Sequence, residues 1–273
     1  MLERFTYTNS LGETLEFGKD SLFVNENDLR DFAWSITSKN DKISSFKKGI
    51  VNKTIPIILK CNTEDEGLYL RNKIFETFEK DVLTKKYGKI HIGDYYLRCY
   101  ITGLQKTQYL VNLNYMVITA TVQTDVPEWI KETTTLYSMD GESIDEDLDY
   151  PYDYPHDYSN SLASHQVVNS ALTDSNFIIT IFGSVQSPTL YIGDHEYTVN
   201  VNVDTGEHLT IDSINKTITL IKSNGEQVNC FNNRNKDSYI FKKIPVGTSQ
   251  ITSTGQIYFS ITLLEERSEP KWI

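Results

Sequence analysis

Residues 109 to 122 read YLVNLNYMVITATV, where Val111, Leu113, Tyr115 and Val117 alternate with Leu110, Asn112, Asn114 and Met116. A period of two puts successive side chains on opposite faces of an extended chain, so the stretch predicts a long central strand packed on one face. Shorter runs of the same kind occur at 55–59, 94–101, 177–182, 217–221 and 257–264. The chain therefore reads as mainly β. Thr217–Ile221 and Gln227–Phe231 flank Ser223-Asn224-Gly225, and Asn-Gly predicts a hairpin closed by a type I′ turn.

One segment breaks the pattern. From about Glu64 to Leu83 apolar residues recur at helical spacing, and Thr63 followed by Glu66 forms a capping-box pattern at the start. Leu70, Ile74 and Phe78, with Phe75 and Val82, are expected to form the face that covers a sheet. Lys80, Lys85 and Lys86 suit the negative end of the helix dipole, and Gly88 is placed to end the helix.

From Asp140 to Tyr158 the chain holds eight acidic residues and no basic one, and this span ends in the string Tyr150-Pro151-Tyr152-Asp153-Tyr154-Pro155-His156-Asp157-Tyr158. Residues 1–133 hold 18 basic and 18 acidic side chains, and 134–273 hold 8 and 19, so the second part carries the net charge of −11. Mutual repulsion and the prolines predict a linker over 136–160, solvated in its first part. Tyr150, Tyr152, Tyr154 and Tyr158 put rings on one side of an extended chain and are expected to pack.

Composition also excludes classes. An acidic chain without a basic stripe does not suit phosphate backbones. No stretch approaches the ~20 apolar residues that span a bilayer, and no apolar run follows a basic head at the start, so no membrane segment or secretion signal is expected. Cys61, Cys99 and Cys230 lack metal or redox spacing and are expected to be free and buried. His91, His156, His165, His195 and His208 form no metal-binding motif, and no nucleophile elbow or phosphate-cradling loop occurs. Asp140 to Asp147 gathers oxygen ligands without EF-hand spacing. The two carboxylates of a glycosidase can come from distant strands, but no local motif marks such a pair. No enzyme, cofactor or metal is expected.

Residues 38–53, SKNDKISSFKKGIVNK, carry five lysines and three serines with Ile43, Phe46, Ile50 and Val51 between them. They lie between two strand-like runs and read either as a solvated hairpin loop or as an arm that grips a neighbouring subunit. In the second case Lys42, Ile43, Phe46, Lys47, Lys48, Ile50 and Val51 are the contact candidates.

Several pieces in order resemble a known family. They are Phe5-Thr6-Tyr7-Thr8-Asn9 with Trp34, the tyrosine-proline string, Phe182-Gly183, Ser187-Pro188-Thr189-Leu190, Ile192-Gly193 with Tyr197, and Glu207 to Asp212. The 217–231 hairpin, Phe241 with Ile244-Pro245-Val246-Gly247, and the end Glu266 to Trp272 complete the series. Together they resemble the distal tail proteins of long-tailed, siphovirus-type bacteriophages. The resemblance implies two β-sandwich domains. The first, 1–135, carries helix 64–83 and an extended arm or belt at about 38–53; the second, 161–273, is galectin-like.

It further implies a homohexameric ring at the distal end of the tail, built in the host cytoplasm. The ring joins the tail tube protein to a tail-tip or tail-associated fibre protein and to receptor-binding or other peripheral baseplate proteins, with DNA only passing through its channel. A galectin-like domain also raises a second reading, a module that binds host cell-wall sugar. For that role 134–273 offers only Trp272 as an aromatic platform, with His208, Asn232, Asn233 and Arg234 as polar contacts.

Overall fold

A computed structural model describes residues 4–19, 21–24, 26–109, 115–138 and 166–272. The chain divides into two compact units, Met1–Ile130 with Arg267–Ile273, and Lys131–Glu266.

The first unit contains β1 (Phe5–Thr8), β2 (Thr14–Phe17), β3 (Leu22–Val24), β4 (Ser35–Lys39), β5 (Lys42–Lys47), β6 (Val51–Lys60), α1 (Glu64–Thr84), β7 (Gly88–Ile92), β8 (Tyr95–Tyr109) and β9 (Tyr115–Thr124), and it includes the start of β10 (Trp129–Ser138). β8 organises these strands. Its first half pairs with β7, from Ile92↔Tyr95 to Gly88↔Cys99, and its second half pairs with β9, from Tyr100↔Gln123 to Tyr109↔Met116. Irregularities at Ile101/Gly103 and Lys106/Gln108 interrupt that second ladder, as expected where a strand bends away from one set of partners. One set of strands runs β2, β1, β7, β8 and the other β8, β9, β6, β3. Both supply one core, with Tyr7, Phe17, Ile57, Leu59, Leu97 and Ile118 among its members.

Register accounts for one expectation that failed. β8 and β9 are antiparallel partners, so the chain reverses between Tyr109 and Tyr115, and residues 109–122 are not one long strand. Two antiparallel stretches of equal period can keep the alternation of a single strand in the sequence, and period alone cannot reveal the reversal.

Helix α1 spans Glu64–Thr84, close to the predicted range, with Thr63 as N-cap accepting from the Glu66 N–H. The Glu66 carboxylate in turn accepts from the Asn62 N–H at 2.9 Å. Its buried residues are Ile74, Thr77, Phe78 and Asp81. Phe75 and Val82 stay 46% and 38% exposed, so they leave the core-facing stripe to which periodicity assigned them. The helix ends on Lys85 in the left-handed conformation, φ 55°, whose N–H returns to the helix, and not on Gly88. Gly88 sits in β7, where an added Cβ would collide with the Tyr7 hydroxyl and the Asp81 carboxylate.

The second unit continues β10 and contains β11 (Gln166–Asn169), β12 (Asn176–Phe182), β13 (Val185–Gln186), β14 (Thr189–Ile192), β15 (His195–Thr198), β16 (Asn202–Val203), β17 (His208–Asp212), β18 (Thr217–Ile221), β19 (Gln227–Asn229), β20 (Gly247–Ser253) and β21 (Tyr258–Arg267, as far as Glu266). One sheet runs β19, β18, β17, β12, β21 and a second β11, β20, β14, β15. Alternating inward residues of both, such as Phe177, Ile179, Leu209, Ile218, Leu190 and Ile251, form a single core. Each fully buried Ile, Leu or Phe contributes about 1.5–3 kcal/mol.

The predicted hairpin is β18–β19, in register Thr219↔Asn229 to Ile221↔Gln227. Its turn differs from the expected type. Gly225 has φ 83° while Asn224 is not left-handed; Gly225 N–H donates to Lys222 O at 2.8 Å and Lys222 N–H to Glu226 O at 2.9 Å. This is a type I turn closed by a glycine bulge, and it needs only one residue of positive φ.

Candidate subunit-contact surface

The stretch expected to form an arm contains a hairpin of its own. β4 and β5 pair only with each other, from Ser35↔Lys47 to Lys39↔Lys42, and every residue of β4 is exposed. Asn40 and Asp41 close it with φ 52° and 57°, the paired positive angles of a type I′ turn. Register and the irregularity after Thr37 place Ile36, Phe46, Ser38 and Ile43 on one side. Trp34 extends that side, its ring edge-on to Phe46 at 6.4 Å. Ile36, Ile43 and Phe46 are each 57–58% exposed, so this apolar side has no cover in the isolated chain.

The hairpin's root is fixed firmly. The Lys48 ammonium lies 3.4 Å from the Glu128 carboxylate and 4.5 Å over the Trp34 ring, and donates to Ser268 Oγ at 2.8 Å. Its side chain is only 5% exposed. Lys53, also buried, donates to the backbone carbonyls of Asp28, at 2.8 Å, and Asp31. Burial pushes its pKa below the ordinary lysine value. The Asp28 carboxylate accepts from the Thr54 N–H at 2.7 Å.

The predicted contact residues thus divide. Lys42, Ile43, Phe46, Lys47 and Ile50 are exposed, whereas Lys48 anchors the root and Val51 begins β6 opposite Thr124. Trp34 and Ile36 belong to the same apolar side and were not among the candidates; pairing across the hairpin reveals them, since they lie outside the lysine-rich string. Tyr150, Tyr152, Tyr154 and Tyr158 lie outside the described residues.

The polar residues considered for sugar binding are largely engaged by their own chain. Asn233 Nδ2 donates to Asn200 O at 3.2 Å, and Arg234 donates to Phe231 O at 2.6 Å with its guanidinium 4.0 Å from the Phe231 ring centre. His208 pairs with Phe182 in the sheet, and burial lowers its pKa. Trp272 lies in the first unit, where Arg30 covers its ring at 4.0 Å. A cleft of about 410 Å³ beside it is lined by Asn27, Arg30, Asp31, Phe32 and Glu269; another of about 510 Å³ is lined by Thr8, Asn9, Ser10, Lys85, Lys86 and Lys89. Neither is lined by histidine or cysteine. The three cysteines are free and buried, and no group of metal-binding side chains occurs among the described residues.

Among the described residues, two units of antiparallel sheet, one long helix and an exposed hairpin between β3 and β6 make up a fold shared with chains of solved phage baseplate and hub structures. The solved structures that share it include a chain of the phage P2 baseplate in its activated conformation with calcium. That chain aligns at TM-score 0.64 and 12% identity, over 99% of this chain and 100% of its own. The Dit protein of SPP1, described as a paradigm of hub adsorption apparatus in phages that infect Gram-positive bacteria, aligns at TM-score 0.60 and 13% identity, over 96% and 99%. The p2 baseplate with strontium gives TM-score 0.64 and 11% identity. No family model and no curated protein matches the sequence. No helix among the described residues is long and apolar enough to cross a membrane.

Proposed function

We propose that this chain is a structural hub at the distal end of a phage tail, whose copies close into a hexameric ring between the tail tube protein and the tip fibre or peripheral baseplate proteins. The observation that carries this reading is likeness over whole chains. Alignment covers 99% of this chain and 100% of the p2 baseplate chain, which leaves no unmatched unit on either side.

In this reading the first unit, residues 1–135 in the sequence-based division, forms the ring. The 38–53 segment is the belt that reaches the next subunit, and 136–160 links to an outward, galectin-like unit that receives receptor-binding proteins. A ring needs two different surfaces on each copy, repeated head to tail. An anchored hairpin with one uncovered apolar side supplies one of them. DNA crosses only the channel, and the protein works as scaffold without catalysis or cofactor. Sugar binding is the weaker alternative, because Asn233 and Arg234 are already occupied by backbone carbonyls.

Light scattering with negative-stain microscopy of the purified chain is expected to show rings with a central hole. A chain that stays monomeric at high concentration with tail tube protein added would overturn the proposal. Replacing 36–46 by a two-residue turn removes the hairpin and spares Lys48 and Lys53, so the monomer keeps its fold while assembly is lost.

A further inference from the structure

Helix α1 carries a second apolar face that the core does not use. Leu68, Phe75 and Val82 stand at i, i+7 and i+14, with Tyr69 and Leu83 beside them, and all five are exposed. At 3.6 residues per turn the five project within an arc of about 140°, turned away from buried Ile74, Thr77 and Phe78. Glu64, Asp65, Glu76 and Glu79 fall inside that arc, and none of the helix's basic residues does. Lys80 lies to one side, bound to the Glu13 carboxylate at 2.6 Å. Five large apolar side chains on one exposed helix face are far more than scattered surface residues, and such patches mark interaction sites.

The chain also holds a surface of matching chemistry. The hairpin β4–β5 presents Trp34, Ile36, Ile43 and Phe46 on one side, and Lys39, Lys42 and Lys47 at its tip and opposite side. The helix face is apolar and acidic; the hairpin is apolar on one side and basic at its tip and on the other. Both are uncovered within a single copy, so the hairpin does not lie on its own helix. We infer that the hairpin of one copy docks on the outer face of α1 in the next copy. Ile36, Ile43 and Phe46 pack between Leu68, Phe75 and Val82, and a basic hairpin is thereby brought to an acidic helix face.

This inference rests on the ring reading and names the surface that receives the belt. Two distinct patches on one chain make a head-to-tail contact that closes when the rotation per copy allows it. The apolar residues exclude water and hold the contact, and the opposite charges of the two elements speed encounter. Side-chain packing distinguishes this mode from addition of the hairpin to a free sheet edge, which would use backbone hydrogen bonds and leave the helix bare.

Two measurements test it. Leu68→Glu with Phe75→Glu alters only exposed positions, so the monomer's thermal midpoint and circular dichroism should stay near those of the unaltered chain. The concentration for half-assembly is expected to rise at least about tenfold, as for loss of a buried interface anchor. In the second, a chain with Ile43→Cys is mixed with a chain with Phe75→Cys; because the native cysteines are buried, an oxidised heterodimer reports this contact alone. Ring assembly unaffected by the double glutamate variant, with no crosslink, would overturn the helix site and leave the ring standing. An unaltered chain that never assembles would overturn both. If the glutamate variant loses its fold, the crosslink decides between the outcomes.

Discussion

Tyr7 donates its hydroxyl to the buried carboxylate of Asp81, joining β1 to helix α1 across 74 positions of sequence. The Tyr7 ring also meets Phe78 edge-on at 4.8 Å, and the second Asp81 oxygen accepts from the Ser10 N–H at 2.8 Å. One strand residue thus fixes the helix by packing and by a charge-assisted bond together.

Removing that hydroxyl leaves a buried carboxylate with one partner fewer. Tyr7→Phe is expected to cost about 1–3 kcal/mol, read as a lower denaturant midpoint at unchanged slope. Tyr197→Phe serves as the comparison, since its hydroxyl donates to the neutral Lys242 carbonyl at 2.8 Å, and it should cost less. Equal losses would mean that the Asp81 charge adds nothing.

Gly88→Ala drives a methyl group into the same pair. An added Cβ meets the Tyr7 hydroxyl and the Asp81 carboxylate, neither of which can retreat from the core. Overpacking of this kind costs typically about 1–3 kcal/mol. Gly225→Ala is the counterpart without a clash: nothing stands near its Cβ, but its φ of 83° strains an L-residue by about 1–2 kcal/mol. Combining Gly88→Ala with Tyr7→Phe should recover part of the Gly88 loss, and purely additive costs would contradict the steric account.

Stability is expected to fall on the alkaline side. Burial, with Asp81 nearby, raises the pKa of the Cys99 thiol and the Tyr7 phenol above their ordinary values, and burial alone raises that of Tyr197. A group with a raised folded pKa keeps its proton longer in the folded chain. Its contribution is whole below the unfolded pKa and is lost as pH rises toward the folded one. The loss should begin near pH 9 for Cys99 and near pH 10 for the tyrosines. Unfolding midpoints measured from pH 7 to 11 should decline, and Tyr197→Phe should flatten part of that decline. A level profile in the unaltered chain would refute the assignment.

Lys53→Met keeps the length of the side chain and removes the donor that holds the Asp28 and Asp31 carbonyls. The segment leading to the hairpin then loses its clamp. Limited proteolysis should cut between residues 28 and 35 several-fold faster, while the rest of the first unit resists as before. Unchanged cutting would show that the Asp28–Thr54 bond suffices alone.

Patterning made much of the fold legible. Thr63 with Glu66 located the start of α1 within a residue, and alternation placed β18 at the observed limits, because both signals are local. What patterning missed depended on residues far apart in sequence. Phe75 and Val82 are apolar at helical spacing, and nothing nearby shows that a second surface claims them. Gly88 looked like a helix stop, whereas its small size serves Tyr7, 81 positions earlier. The exposed hairpin was visible as a lysine-rich string, but the apolar side formed by Trp34, Ile36, Ile43 and Phe46 emerges only after the strands are paired.

The return of Arg267–Ile273 to the first unit has a consequence for synthesis. Arg30 donates to the Pro270 carbonyl at 3.0 Å, and Lys48, at the root of the hairpin, reaches Ser268. Translation delivers those partners only after the whole of Lys131–Glu266 has left the ribosome, roughly ten seconds later at ordinary elongation rates. Until then the hairpin root lacks one of its anchors, so the first unit completes its fold only after the second has been made.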